Sequence, residues 1–402
     1  MTKKSDNEGK RTVDGKEKNM GSLWTQHMEM PEFGELRKDI RTQVLIIGGG
    51  MTGILCAYFL EQAGVDYCLL EKGRICMEAT AHTLGMVTAQ PGLMYEKALQ
   101  RLGQEQAGLF LEANRKAVEN YRNLGNFVDC DMEEKEFLLY SIKDRRKLES
   151  EMQALGSLGV TAEYMEQTAL PFEVMGALRF PGQLALHPLK FASGLVRNLR
   201  IYENSEVKEM TEYFALTEKG SVAAEKIIVA TKNPIVTSRG AYWVKLGSVR
   251  GYTIAVDCAP KPCAMYQSID REGISFSSYK NLLLLTIEEQ RNGHAGEEWE
   301  QLRRFVREYY PEAQERYFWK NEDCVPIDER PYIGPYSRTT PDLYVATGFQ
   351  KCGLAGAMLS AMVLSDLVRG KENPYASLFS PARNPIHPGL FRNIGQLFRK
   401  KN

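Results

Sequence analysis

Short apolar runs alternate with longer segments of helical periodicity along most of the chain. The compact runs at residues 44–47, 67–70 and 227–229 have the pattern of buried strands. Helical patterns lie at residues 54–62, 94–124, 143–158, 184–199 and 354–368. Strands that alternate with helices in this way are typical of the α/β class with a largely parallel sheet.

Three glycines stand between the first predicted strand and its helix. Gly48, Gly50 and Gly53 form the spacing G-x-G-x-x-G, which also contains Met51 and Thr52. The first glycine allows a tight turn, the second lets a pyrophosphate approach the backbone, and the third lets helix and strand pack closely. The helix N-terminus then faces the phosphates. The order of strand, glycines and helix predicts a dinucleotide site.

An acidic residue closes the second predicted strand. Glu71 follows the glycines by about 20 residues, where a carboxylate accepts hydrogen bonds from ribose hydroxyls. Because a carboxylate repels a 2′-phosphate, the cofactor is expected to lack one. FAD and NAD both satisfy this condition, and the choice between them has to come from elsewhere in the chain.

A second strand-to-helix turn lies near the C-terminal end. The strand pattern at 343–347 is followed by GFQKCG at 348–353 and then directly by a helix. Such a turn presents backbone N–H groups and a helix N-terminus. One nucleotide does not need two such turns, whereas a long cofactor with an adenine end and a flavin end could use both, which favours FAD.

Further candidates for ligand contact precede and follow the predicted strands. The loop at 79–91 is rich in small and hydroxyl residues, and Thr80, Thr83 or Gly85 could reach a flat ligand, although an ordinary loop has the same composition. Ala230 and Thr231 end the third strand at the edge where open α/β sheets bind ligands. His187 precedes a proline that starts a helix, which favours a capping role over a ligand contact.

Composition limits the class of protein. A chain of 402 residues exceeds one usual core, so two domains are expected, and 51 basic against 51 acidic residues give no field that favours nucleic acid. The eight cysteines have no C-x-x-C pair and the five histidines no metal spacing, so we expect reduced thiols and no metal. Without a signal peptide or a membrane-spanning run, the sequence predicts a cytoplasmic protein with no integral membrane segment.

Several motifs together resemble the FAD-dependent D-amino acid oxidase and glycine oxidase superfamily. They are GGGMTG with Glu71, GMV at Gly85, and the segments VATKNP at 229–234, RPYIGPY at 330–336 and ATGFQKCG at 346–353. The subgroup with a C-terminal Rieske iron–sulfur domain is the closer match. Trp24, AHTLGMVTAQPG around His82, and WKNEDCVPIDERPYIG from Trp319 resemble it. The resemblance covers about residues 22–380.

The resemblance implies a Rossmann-like FAD domain of the glutathione reductase type and a second, mixed-sheet α+β substrate domain over the flavin. The implied FAD domain is non-contiguous, with residues 22–127, 181–245 and 324–380, and the substrate or cap domain takes 128–180 and 246–323. The remaining segments are a disordered tail at 1–21 and a basic amphipathic helix at 381–402.

The resemblance also implies FAD contacts and oxidation of a small amine, amino acid or related compound. Beside Gly48 to Gly53 and Glu71, the expected FAD contacts are Lys72, Thr80, His82, Thr83, Gly85, Met86, Val207, Ala230, Thr231, Gly334, Gly348, Phe349, Lys351, Gly353 and Leu354. Lys351 would stabilise negative charge on the reduced flavin. Tyr252, Tyr266 and His82 are candidate catalytic groups, although the two tyrosines could equally be core residues.

Two departures from the family pattern bear on substrate and electron acceptor. Val325 stands where amino acid oxidases of this family have an arginine that binds the substrate carboxylate. An amino acid is therefore disfavoured as the substrate unless Arg250 or Arg330 takes the role of that arginine. No Rieske cysteine and histidine pairs follow, so electrons are expected to pass to oxygen or to a separate redox partner protein. A flavin-binding electron-transfer or assembly component without its own substrate chemistry is the alternative, and a plain NAD-dependent dehydrogenase is a further one.

Overall fold

Two mixed β-sheets form the framework of the protein in the computed structural model, which describes residues 10–13, 16–26, 28–90, 92–235, 240–289 and 297–383. Its strands are β1 (Lys10–Val13), β2 (Lys16–Met20), β3 (Ile40–Ile47), β4 (Tyr67–Leu70), β5 (Met86–Val87), β6 (Glu133–Ser141), β7 (Glu163–Met165), β8 (Gly176–Ala185), β9 (Ile201–Tyr202), β10 (Glu209–Met210), β11 (Phe214–Leu216), β12 (Ser221–Val229), β13 (Leu246–Asp257), β14 (Met265–Ser268), β15 (Ser275–Tyr279), β16 (Leu282–Glu288), β17 (Gln314–Pro326), β18 (Tyr332–Ser337) and β19 (Thr340–Thr347).

Helices connect these strands. They are α1 (Met51–Gln62), α2 (Tyr95–Gly125), α3 (Arg145–Ser157), α4 (Pro188–Leu195), α5 (Tyr242–Lys245), α6 (Glu297–Tyr309), α7 (Gly353–Val368) and α8 (Ala376–Phe379), with 3-10 helices at Leu23–Thr25, Ala79–His82 and Val196–Asn198. Among the described residues, none of these helices combines the length and the apolar character needed to cross a bilayer.

The first sheet, called here the parallel sheet, has the order β10-β11-β12-β3-β4-β9, with β19 beside β12 and β18 beside β19. β3, β4, β9, β12 and β19 run parallel to one another, whereas β11 and β18 pair antiparallel with β12 and β19. The helices α1 and α7 pack on each other and are buried over most of their surface. Their nearly uniform apolar character fits a position between other layers of the protein.

The second sheet, called here the cap sheet, has the order β1-β2-β17-β13-β16-β15-β14-β6-β8-β5, with β7 beside β8. Its long strands β13, β16 and β17 are antiparallel. An aromatic and aliphatic cluster fills the side that faces α6 and includes Tyr252, Tyr266 and Phe276. The opposite side of these strands faces the parallel sheet.

Several predicted element boundaries differ from the structure. Residues 10–13 and 16–20, assigned to a disordered tail, form β1 and β2, and β2 pairs with β17. Strand β8 extends to Ala185, so the helix expected from residue 184 begins only at Pro188. The predicted C-terminal amphipathic helix at 381–402 lies outside the described residues apart from 381–383. The division into domains stays a prediction.

Candidate active site

The carboxyl ends of four parallel strands meet at one edge of the parallel sheet. Val229 of β12 pairs with Ile47 of β3 on one side and with Val345 of β19 on the other, and Ile47 pairs with Leu70 of β4. The early turn after β3 and the late turn after β19 are therefore separated by the width of a single strand, about 10 Å. The two glycine turns, 300 positions apart in the sequence, lie side by side.

A cavity of about 550 Å³ opens at this edge, between the parallel sheet and the cap sheet. Eighteen of the residues predicted from sequence line it: Gly48, Gly50, Met51, Thr52, Glu71, Lys72, Thr80, His82, Thr83, Met86, Val207, Ala230, Thr231, Gly348, Phe349, Lys351, Gly353 and Leu354. Both glycine turns contribute to one cavity, which is the arrangement that a long cofactor requires.

The geometry of the early turn fits a pyrophosphate. Gly48 has φ +109°, and a Cβ there would lie 2.9 Å from the carbonyl oxygen of Ala230. A Cβ on Gly53 would lie 1.9 Å from the carbonyl oxygen of Gly48, so helix α1 packs directly against the turn. At Gly50 a Cβ would meet only Thr80 Oγ1, at 3.7 Å, which leaves this backbone open to the cavity. Helix α1 begins at the next residue, Gly50 provides no side-chain cap, and the Met51 N–H donates to Thr80 Oγ1 at 3.0 Å.

Glu71 lies at the same end of the cavity. Its Oε2 accepts a hydrogen bond from the Gly49 N–H at 2.7 Å, and its Oε1 accepts from the Gly73 N–H at 2.9 Å. Each carboxylate oxygen has a second lone pair, so the side chain can also accept from a ligand hydroxyl. Val207 lines the cavity nearby and extends this end of the site.

Two tryptophans hold the 3-10 segment that carries Thr80 and His82. The indole N–H of Trp24 donates to the carbonyl oxygen of Thr83 at 2.6 Å, and that of Trp319 donates to the carbonyl oxygen of His82 at 3.1 Å. Both indoles are nearly fully buried. Sequence motifs identified these tryptophans only as part of a resemblance, and their contact with the cavity loop depends on residues far away in sequence.

The late turn combines backbone strain with a charged pair. Gln350 and Lys351 both have positive φ, at 51° and 71°, a region that residues other than glycine seldom adopt. This conformation aims the loop at the start of α7, where Cys352 provides no side-chain cap. Lys351 forms an ion pair with Glu288 of the cap sheet. The lysine is thus held at the cavity by a partner from the opposite wall.

Polar side chains on the inner face of the cap sheet form the other wall of the cavity. Thr253 and Thr286 hydrogen-bond to each other at 2.6 Å, and the Asn321 side-chain amide donates to Asp323 at 2.9 Å. Further lining residues of the cap sheet or the loops joining its strands are Val249, Gly251, Gln267, Ser268, Gly273, Ser275, Glu288, Glu322 and Cys324. A wall of hydroxyl, amide and carboxylate groups can orient a small polar substrate.

The structure does not bring Tyr252 and Tyr266 to this cavity. On β13 the lining residues are Val249, Gly251 and Thr253, and alternate side chains along a strand point to opposite faces. Tyr252 is 4% exposed on the outer face, with its ring 5.0 Å from that of Trp299. Tyr266 is likewise buried in the outer cluster. The predicted catalytic role of both tyrosines is corrected accordingly.

Other predicted residues have positions that limit their roles. His82 lines the cavity, and its Nδ1 lies 2.6 Å from the carbonyl oxygen of Glu78. Gly85 does not line the cavity, because Leu186 and Trp24 surround it, and Gly334 packs near Pro381 instead. Gly53 supports the turn from behind. His187 caps α4 by accepting from the Lys190 N–H at 3.2 Å, as its place before a proline predicts.

Neither arginine considered as a substitute for the missing carboxylate clamp lines the cavity. Arg250 lies on the outer face of β13 and pairs with Glu289 at 3.0 Å. Arg330 bonds to the carbonyl oxygen of Leu378 and to Asp328, away from the cavity. A bidentate arginine for a substrate carboxylate is therefore not supplied by either of them.

Burial keeps the thiols of the site protonated. It raises the pKa of Cys324 to about 11 and the pKa of Cys76 and Cys352 to about 12. Burial also raises the pKa of the Asp323 carboxyl. In the described residues all eight cysteines are free, although Cys258 and Cys263 are exposed rather than buried.

The chain is similar to known proteins. The family model described as FAD dependent oxidoreductase (DAO) matches residues 43–367. Bacillus subtilis YhfW, whose name describes it as a Rieske 2Fe-2S iron-sulfur protein, is 30% identical over 396 residues, which cover 93% of this chain and 77% of YhfW.

Two solved structures have the same fold. Glycine oxidase from Geobacillus kaustophilus has a TM-score of 0.70 at 20% identity and covers 86% of this chain and 99% of its own. L-proline dehydrogenase from P. horikoshii has a TM-score of 0.72 at 15% identity and covers 86% and 98%. The predicted fold class and the predicted family resemblance are both confirmed.

Proposed function

The chain belongs to the FAD dependent oxidoreductase (DAO) family, with FAD as its cofactor, and we propose that it oxidises a small amine, amino acid or related compound. FAD, when bound, supplies a hydride acceptor for the C–H bond beside the substrate nitrogen, and the lone pair of the unprotonated nitrogen forms the C=N bond of an iminium ion as the hydride leaves. The protein's own residues have to bind the cofactor, orient the substrate and exclude water.

One observation carries this proposal: the two glycine turns and the polar inner face of the cap sheet enclose the same cavity. A site that only carried electrons would need the turns but not the second wall. The hydroxyl pair of Thr253 and Thr286 and the Asn321 and Asp323 pair give that wall directional hydrogen-bonding groups. Such groups fix the orientation of a substrate in a pocket.

We assign the cofactor contacts along the cavity in order. The open backbone at Gly50 and the N-terminus of α1 would hold the pyrophosphate, and Glu71 would accept from ribose hydroxyls. The backbone at Val207 would contact adenine. Thr80, Thr83 and Met86 would lie along the flavin, together with Ala230 and Thr231.

The late turn would face the isoalloxazine end. Gly348, Phe349, Gly353 and Leu354 line this end of the cavity. Lys351 would stabilise the negative charge of the reduced flavin, with the N-terminus of α7 acting in the same direction. Its ion pair with Glu288 would restrict the lysine to one position. His82 is a candidate for proton transfer because it lines the cavity.

Anaerobic reduction of the bound flavin tests the proposal. A panel of amines, amino acids and hydroxy acids is added to the yellow holoenzyme, and loss of flavin absorbance is followed. Reduction by at least one amine or amino acid is expected. If the whole panel leaves the flavin oxidised, the result favours an electron-transfer or assembly component. A subsequent exposure to air shows whether oxygen reoxidises the flavin or a separate partner protein is required.

A further inference from the structure

We propose that the substrate of this enzyme is a cationic amine without a carboxylate beside its nitrogen, and that Asp323 binds the ammonium group. The inference rests on the proposed amine oxidation and specifies its substrate class. It follows from the charged side chains that line the cavity, in particular on the wall formed by the cap sheet, and from the ion pairs that these side chains already form.

Every described lysine or arginine that lines the cavity already has a carboxylate partner. Lys72 lies 3.6 Å from Glu78, and Arg74 lies 2.6 Å from Glu32. On the substrate side, Lys232 and Glu322 are 3.3 Å apart. Lys351 and Glu288 form the remaining pair. A substrate carboxylate would therefore have to displace a carboxylate that the protein itself supplies.

Asp323 differs from these carboxylates. Within the described part of the chain its hydrogen-bond partner is the neutral side-chain amide of Asn321, and it forms no ion pair. It lies on β17 with its side chain toward the cavity, opposite Val249 of β13. One carboxylate oxygen carries the Asn321 hydrogen bond, which leaves the other available to a ligand.

The position of Asp323 on β17 strengthens the assignment. Asn321, Asp323 and Val325 share the face of β17 that looks toward the parallel sheet, because side chains alternate along a strand. Over the described residues 321–325, that face of β17 thus carries an amide, an acidic side chain and an apolar side chain, and no cation. The nearby arginine on β13, Arg250, points to the opposite face and is already paired.

A carboxylate in this environment discriminates strongly between cations and anions. A substrate ammonium would gain a charge-assisted hydrogen bond, whereas a substrate carboxylate would meet a like charge in a partly desolvated cavity. Hydrogen bonds to charged groups change affinity by about 10-fold to 100-fold. The same factor is expected when the charge of Asp323 is removed.

The binding test uses the FAD-loaded protein and two probes that do not reduce flavin, guanidinium, whose N–H groups can donate to a carboxylate, and acetate. Binding is followed by perturbation of the flavin absorption spectrum. We expect the wild-type protein to bind guanidinium in preference to acetate, and Asp323→Asn to weaken binding of that cation about 10-fold to 100-fold. The matched control is Glu289→Gln, which removes a carboxylate from the other face of the cap sheet and should leave both affinities unchanged.

The pH dependence of the same titration gives a second readout. Guanidinium stays protonated over the pH range in which a carboxyl group titrates, so any pH dependence of its binding belongs to the protein. Burial is the largest influence on the pKa of the Asp323 carboxyl and raises it, as does the charge of Glu288. The charges of Lys232 and Lys351 and the hydrogen bond from Asn321 lower that pKa. The resulting Asp323 pKa lies above the usual aspartate value of about 3.9. Because the carboxyl becomes negatively charged as pH increases through that raised pKa, affinity for the cation should rise over the same range. Asp323→Asn should lose this rise.

Two results would overturn the assignment: tighter binding of acetate than of the cation by wild-type protein, or an unchanged cation affinity in Asp323→Asn. The first comparison needs no variant, so it holds even if the substitution impairs folding. Flavin reduction by amines that is insensitive to Asp323→Asn would leave the oxidation standing and remove only the role of Asp323. Failure of every amine to reduce wild-type flavin would instead refute the oxidation itself, together with the inferred substrate class.

Discussion

Replacement of Gly53 by alanine tests the close contact between α1 and the early glycine turn. A Cβ at this position would lie 1.9 Å from the carbonyl oxygen of Gly48, whereas real Cβ contacts stay above 3.0 Å. Helix and turn would have to separate by about 1 Å, and overpacking of this kind costs about 1–3 kcal/mol. The clash is between an alanine Cβ, whose position the backbone fixes, and a backbone carbonyl oxygen, so no side-chain rotation can relieve the strain.

The displaced turn carries the backbone that would approach the pyrophosphate. We therefore expect Gly53→Ala to lower FAD affinity by roughly 10-fold to 100-fold as well as to lower the melting temperature. FAD content is measured from the ratio of flavin to protein absorbance after gel filtration. Added FAD at high concentration should recover part of the loss in melting temperature, because ligand binding stabilises the folded state.

Gly108→Ala is the matched control. Gly108 also lies within a helix, α2, but a Cβ there would meet nothing within 4 Å. Alanine is about 1 kcal/mol more favourable than glycine in a helix, so this variant should be more stable than the wild type and retain its FAD. If Gly53→Ala behaves like Gly108→Ala in both assays, the proposed packing of helix and turn is refuted.

Three further substitutions test other parts of the structure. Trp319→Phe removes the indole N–H that donates to the His82 carbonyl oxygen, a hydrogen bond that contributes about 1 kcal/mol. FAD retention should weaken up to about 10-fold. Equal retention in variant and wild type would contradict a role for this contact. Burial lowers the pKa of His187 to about 4, below its usual value of about 6.5. The neutral buried histidine should therefore stabilise the fold at neutral pH, and this stabilisation should be lost as pH falls from about 6.5 toward 4. His187→Asn should remove that part of the pH dependence of the unfolding free energy, measured by chemical denaturation. Burial opposes ionisation of Asp328, but the hydrogen bonds and charge of Arg383 lower the pKa of this carboxyl, so its stabilisation should be lost only in acid, below about pH 4. Asp328→Asn leaves the buried guanidinium of Arg383 without its carboxylate, 2.6 Å away in the wild type, and should cost about 3–5 kcal/mol; a melting temperature within experimental error of the wild type would rule this out.

The sequence by itself determined the features that depend on neighbouring residues. Gly48, Gly50 and Gly53 impose a turn that few other residues allow, and Glu71 follows at a fixed distance because one strand–helix–strand unit has a standard length. The late turn at 348–353 could be predicted in the same way, because its glycines lie between a strand pattern and a helical pattern that adjoin it in the sequence. These local constraints were sufficient to identify an α/β protein with a long dinucleotide cofactor.

Only the tertiary structure decided which residues meet. Tyr252 and Thr253 are adjacent in sequence, and the choice of which one faces the cavity depends on the register of β13 against β16 and β17, where a shift by one residue exchanges the faces. The pairing of both β3 and β19 with β12 likewise joins two distant turns. The unpaired charge of Asp323 is of the same kind, because it follows from where Lys232 and Lys351 find their partners. Contacts between residues far apart in the chain are set by packing of the whole protein, which no local pattern records.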